Sequence, residues 1–132
     1  MSAKFEALAR VPLFGGLAPA ELESVAAGTR EVQIDVGTEL MRQGEPGSEF
    51  FVITAGALEI QIGGRAVNIL GPGDFLGELA LLFGAPRIAT AVALEATTLL
   101  VMGKEGFTAL LAEHPAVESK LLAVVAQRMR YR

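Results

Sequence analysis

The run Phe75-Leu76-Gly77-Glu78-Leu79-Ala80-Leu81-Leu82-Phe83-Gly84-Ala85-Pro86-Arg87-Ile88-Ala89-Thr90 constrains this chain more than any other segment. It is an apolar stretch that carries one acid, Glu78, and one base, Arg87, with breakpoints at Gly77, Gly84 and Pro86. Glycine allows a backbone to approach a ligand closely. The pattern predicts a short helix from Glu78 to Phe83, whose first-turn N–H groups, just after Gly77, are free to receive an anion. Arg87 offers a planar, permanently charged fork that matches phosphate oxygens. A carboxylate so close upstream fits an anion only if the ligand also brings a hydroxyl donor. Phosphate and sugar hydroxyl together describe a nucleotide. The plainer alternative is that Glu78 and Arg87 pair with each other, or with neighbours on a solvated face.

Composition narrows the field. A chain of 132 residues suits one domain with one sizeable core. Hydrophobic residues make up 52%, yet no apolar run approaches the ~20 residues needed to span a bilayer. The opening MSAKFEALAR is mixed and amphipathic, unlike a signal peptide. Cysteine is absent, which excludes a disulfide framework, a thiolate zinc site and an iron–sulfur cluster, and a cytoplasmic location is expected. The net charge of −4 argues against a nucleic-acid surface, which needs a basic patch against backbone phosphates.

Along the chain, residues 1–28 read as helical. Phe5, Leu8 and Ala9 share one face, and a second helix starts at Pro19, with Leu22, Val25 and Ala26 inward and Gly28 at its end. From 29 to 102 the signal changes to strands: Val32 and Ile34 alternate with polar neighbours, followed by runs at 50–54, 57–62, 66–70, 88–94 and 97–102. Gly37, Gly44, Pro46 and Gly47 punctuate the early part, Gly63-Gly64 predicts a two-residue hairpin, and Gly71-Pro72-Gly73-Asp74 predicts a turn. Short strands at this spacing indicate a double-sheet jelly roll or a closed barrel. Residues 103–132 return to helix, with Phe107, Leu110 and Leu111 on one stripe. Beyond His114-Pro115, Val117, Leu121, Val124 and Val125 form another, extended by Met129.

Catalysis is not expected. His114 is the only histidine and its place before Pro115 fits a helix junction. A metal-dependent jelly-roll enzyme needs several histidines, so no metal site is expected. There is no G-x-S-x-G elbow, P-loop or dinucleotide fingerprint.

The sequence Gly77-Glu78-Leu79-Ala80, a short spacer, then Arg87-Ile88-Ala89-Thr90 resembles the phosphate-binding cassette of the cyclic nucleotide-binding domain family. The order helices, β-roll with an inserted short helix, then two helices is similar to that family over essentially the whole chain. The resemblance implies a mainly β fold: a double-stranded β-helix (jelly roll) barrel with N-terminal helices, a cassette at 75–90 and two C-terminal helices, all in a single domain. It implies a cyclic AMP-binding regulatory or sensor module, with cyclic GMP as the other ligand and no further cofactor. Glu78 would accept from the ribose 2′-hydroxyl and Arg87 would pair with the cyclic phosphate. Backbone groups near Gly77, Leu79, Ala80, Ile88 and Ala89 would complete the phosphate site, with Thr90 serving either strand or ligand. Gln127, Arg128 and Tyr131 are candidates for a lid over the base. The apolar final helix, ending in charged residues, fits a homo-oligomer or a fused downstream domain. The competing expectation is a structural or protein-interaction domain of the same fold that binds no nucleotide.

Overall fold

In the computed structural model, which describes residues 3–129, the stretch Glu49–Ala55 (strand β3) sets the layering. Side chains along a strand alternate between its two faces, and here both faces are buried. Phe50 and Val52 join one core cluster while Phe51 and Ile53 join the other. The neighbouring strand β8 (Thr97–Gly103) divides in the same way, Leu100 and Met102 to the first cluster, Leu99 and Val101 to the second. Antiparallel register sets Phe51 opposite Val101 and Val52 opposite Leu100, so the two partitions coincide.

This sheet has the order β1-β8-β3-β6, with β1 at Arg30–Ile34 and β6 at Phe75–Leu76. A second sheet, β2-β7-β4-β5, is formed by β2 (Glu39–Met41), β7 (Thr90–Ala93), β4 (Leu58–Ile62) and β5 (Arg65–Leu70). The pairings are antiparallel, and the two sheets enclose the cluster of Phe51, Ile53, Leu58, Leu76, Leu99 and Val101. This is the double-sheet jelly roll that the strand spacing indicated. The hairpin between β4 and β5 turns at Gly63 and Gly64 with φ of 60° and 78°, the positive values that a primed two-residue turn requires.

Helices cover the other face of the first sheet. Helix α1 (Ala3–Ala9), a 3-10 turn (Pro12–Phe14), α2 (Pro19–Ala27), α4 (Lys104–Glu113) and α5 (Pro115–Arg128) contribute Leu8, Phe14, Val25, Phe107, Leu110, Val117 and Leu121 to the cluster around Phe50. The Phe107 and Phe50 rings lie 4.8 Å apart. Pro19 occupies the first turn of α2, and Glu21 Oε1 accepts from the Ala18 backbone N–H at 2.8 Å, half of a capping box. His114 joins α4 to α5, and its Nδ1 lies 3.3 Å from Glu21 Oε2. Lys120 Nζ donates to Gly15 O at 2.6 Å, tying α5 to the N-terminal turn.

Three local expectations need correction. Ala9 and Met129 are exposed rather than on the inner faces of their helices. Ile88 and Ala89 precede β7 instead of opening it, because the Arg87 backbone is held by a different loop: Gly44 N–H donates to Arg87 O, and Arg87 N–H donates to Glu45 O, both at 2.8 Å. Strands β2 and β6 have too few residues to show a sequence alternation.

The shared first core predicts a large penalty for truncation. Phe107→Ala is expected to lower unfolding stability by about 3–5 kcal/mol, visible as a reduced midpoint in urea denaturation. A loss below about 1 kcal/mol would mean that the helices do not fold cooperatively with the sheet.

Candidate functional site

Helix α3 (Glu78–Phe83) is inserted directly after β6 and is bounded by two left-handed glycines, Gly77 at φ 93° and Gly84 at φ 61°. Gly77 is required twice over. Its φ disfavours any L side chain, and an added Cβ would stand 2.6 Å from Glu49 O and 2.9 Å from Arg87 Nη1. With no side chain to cap them, the first N–H groups of α3 have no acceptor inside the helix.

Arg87 is buried, at 7% exposure, and does not pair with Glu78. Its guanidinium instead bridges two backbone segments, Nη1 donating to Gly77 O and Nη2 to Glu49 O, each at 3.0 Å. The Phe51 ring lies beneath it at 5.5 Å. Two donor nitrogens are used in this way, and no other side-chain hydrogen bond of Arg87 is made among the described residues. Burial pushes the Arg87 pKa down from its ordinary value, while the charges of Glu49 and Glu78 pull it up. Gly47 completes the cradle: a Cβ there would lie 2.0 Å from Arg87 Nε.

Glu78 is 1% exposed. Its Oε1 accepts from Arg128 Nη1 at 2.5 Å, while Oε2 is buried and has no partner among the described residues. Arg128 lies on the inner face of α5, one turn past the buried Val125. It also donates to Phe75 O and stacks over the Phe75 ring at 4.8 Å.

These groups share one cleft. It is lined by Gly77, Glu78, Leu79, Ala80, Arg87, Ile88, Ala89 and Arg128, and by Met41, Ile60, Ile62, Val67, Asn68, Leu70 and Leu76 from the roll. A cation fork thus stands on one wall and a buried carboxylate on another, among apolar side chains, the arrangement of a small-molecule site. The sequence placed the cassette residues but missed the β4 and β5 wall, whose signal was the alternation Ile60, Ile62 and then Val67. It also missed Gly47 and the Glu49 carbonyl. Thr90 lies outside the lining, its hydroxyl accepting from the Gln43 backbone N–H at 3.0 Å. Gln127 is exposed and away from the cleft. Tyr131 lies outside the described residues.

The fold and this cleft define a small-molecule-binding domain of the jelly-roll class. The family model for the cyclic nucleotide-binding domain matches residues 31–114, and the chain belongs to that family. Among curated proteins, it is 35% identical over 124 residues to the cyclic AMP receptor protein of Thermus thermophilus, covering 90% of this chain and 57% of the relative. It is 37% identical over 101 residues to the cAMP-dependent protein kinase regulatory subunit of Yarrowia lipolytica, covering 76% of this chain and 27% of the relative. The crystal structure of the Thermus thermophilus catabolite activator protein superposes with a TM-score of 0.80 at 34% identity, over 91% of this chain and 59% of that one. The cAMP-bound structure of PfPKA-R gives a TM-score of 0.89 at 25% identity, over 96% of this chain and 44% of that one. The chain therefore spans 57% of the length of the cyclic AMP receptor protein and 27% of the kinase subunit.

Because Gly47 packs against the guanidinium, Gly47→Ala is expected to displace Arg87 and weaken cyclic nucleotide binding about tenfold or more, the scale of an overpacking penalty of about 1–3 kcal/mol. Isothermal titration with circular dichroism as the folding control checks it. Wild-type affinity in a folded variant would rule out the cradle.

Proposed function

We propose that this chain is a ligand-gated regulatory module, one domain over residues 1–132, that binds cyclic AMP in preference to cyclic GMP. One observation carries the reading: buried Arg87 and buried Glu78 line the same cleft and, among the described residues, the first keeps N–H groups without a partner and the second an oxygen without one. The cyclic phosphate takes the free donors of Arg87 and the N–H groups at the start of α3. The ribose hydroxyl takes Glu78. The purine lies against the apolar wall of β4 and β5. Charge supports the same ligand, since Arg87 and Arg128 outnumber Glu78 by one and a cyclic phosphodiester brings a single negative charge. The names of the relatives point the same way, a cyclic AMP receptor protein and a cAMP-dependent kinase regulatory subunit.

Occupancy passes outward through α5, which reaches the cleft through Arg128. A ligand shifts such a helix only by as much as it favours one of its positions. The module then serves an output carried by an oligomeric partner or a fused domain, in the cytoplasm, without catalysis of its own.

Arg87→Ala is expected to cost about 2–5 kcal/mol of cyclic AMP affinity, the penalty for truncating one member of a buried charge pair. Isothermal titration measures it, and unchanged affinity in the folded variant would remove Arg87 from the phosphate site. A wild-type chain that binds no cyclic nucleotide at all would favour the interaction-domain alternative.

Purine preference turns on Ile88, which lines the cleft and carries no hydroxyl. The guanine amino group would meet apolar surface there, and an unsatisfied buried polar group costs about 1–3 kcal/mol. Cyclic AMP is expected to bind about tenfold more tightly, ~1.4 kcal/mol, with Ile88→Thr narrowing the gap in competitive titration. A ratio unmoved by the substitution would show that residue 88 does not face the base.

A further inference from the structure

The wall formed by β4 and β5 ends in an overhang. The β4–β7 register stops at Gln61 opposite Thr90, the first residue of β7. Ile62 and the Gly63-Gly64 turn therefore run on past β7, beside β5, the last strand of the sheet. The β4–β5 register also passes over Val67, since Ile60 faces Asn68 and Gln61 faces Ala66. Such a bulge bends its strand and interrupts the ladder locally. Ile62 and Val67, both in this overhang, line the cleft.

Gln43 reaches across to it from the loop after β2. The hairpin closes at Ile62 and Arg65, so the Gly63 N–H lies outside the strand pairing and is free to bond elsewhere. It donates to Gln43 Oε1 at 2.8 Å. Gln43 is itself fixed, its own N–H donating to Thr90 Oγ1 at 3.0 Å, while the N–H of Gly44 donates to Arg87 O at 2.8 Å. One side chain thus spans from the Arg87 segment to the hairpin end. Beneath it lies a shallow depression that shares Ile62, Arg87 and Ile88 with the main cleft.

Resting on the cyclic nucleotide reading above, we propose that Gln43 is a positioning residue for the base. It is a clasp that holds the overhanging end of the β4–β5 wall at a fixed distance from Arg87. It touches no ligand and acts through Ile62 and Val67. Thr90 belongs to the same device, since its hydroxyl holds Gln43 in place and stands outside the cleft lining. A two-ring base reaches farther along this wall than a one-ring base does, so the clasp favours purines. With the clasp open, the bulged hairpin end moves freely about its two positive-φ glycines, and the apolar contact it offers the far ring weakens.

The experiment compares cyclic AMP with cyclic CMP, which carries the same ribose cyclic phosphate on a one-ring base. Isothermal titrations use wild type, Gln43→Ala and Gln43→Glu, with thermal melts to confirm folding. Alanine removes the acceptor, whereas glutamate keeps an oxygen within reach of the Gly63 N–H. The charge that glutamate adds acts on both phosphates alike and cancels in the ratio of affinities. Wild type is expected to prefer cyclic AMP. In Gln43→Ala that preference should shrink by about threefold to tenfold, the range that one neutral hydrogen bond covers, with cyclic CMP affinity little changed. Gln43→Glu should keep the wild-type ratio. Amide exchange gives a second readout: the Gly63 N–H should exchange faster in Gln43→Ala than in wild type or Gln43→Glu. A ratio unmoved in Gln43→Ala, whether both affinities hold or fall together, would mark a residue that serves only its own loop and overturn the proposal. So would a Gln43→Glu variant that loses the ratio as fully as Gln43→Ala. These outcomes leave the functional reading standing. A wild type that binds neither nucleotide removes that reading and this proposal together.

Discussion

The Arg87 guanidinium is the joint on which the cleft depends. The cassette and the start of β3 are distant in sequence, and Arg87 fastens them by donating to Gly77 O and Glu49 O. The backbone repeats the connection through Gly44 and Glu45. Hydrogen bonds that involve a charged donor are stronger than neutral ones, and here they are made in a setting that excludes most water. A buried cation stripped of solvent is unfavourable unless it is paired or well bonded, so the same contacts that fix Arg87 also make its burial tolerable. The result is a fork held in place before any ligand arrives, which lowers the ordering cost of binding.

What the sequence revealed follows from how local each signal was. The cassette was legible because glycines, acid and base stand in one short run, and the structure places α3 where the pattern put it, with Gly77 and Gly84 at its ends. The alternating strands and the Gly63-Gly64 turn were legible for the same reason. The Glu78–Arg128 pair was not, since the partners are 50 residues apart and meet only once α5 has packed on the roll. Arg128 was visible as one of three lid candidates, with no sign that it would grip the carboxylate instead of the base. Gly47 read as a loop glycine, because the guanidinium it accommodates comes from across the fold.

The site and the helical layer are also linked through packing. Leu79 and Leu81 of α3 belong to the cluster that holds Phe107, Val117 and Leu121, so the cassette rests on the same core as α4 and α5. A helix of only six residues has little stability of its own. Its geometry is supplied by that core and by the two glycines. Helix α5 therefore meets the cassette by two routes, through shared apolar contacts and through Arg128.

The partition of β3 and β8 has a consequence for how such a chain can vary. Residues 50–53 and 99–102 are inward on both faces, each alternate position committed to a different core. No register slip of one residue could be absorbed, since it would exchange the two cores wholesale. The outer sheet is under no such restriction: in β5, Ala66 and Ile69 are open to solvent, and only Leu70 is fully enclosed. Mutational drift should therefore accumulate on the outer sheet, whose β4 and β5 contribute Ile60, Ile62, Val67, Asn68 and Leu70 to one wall of the cleft. The sheet with more freedom to change thus borders the cleft, so the cleft's outer wall can vary without disturbing the central sheet.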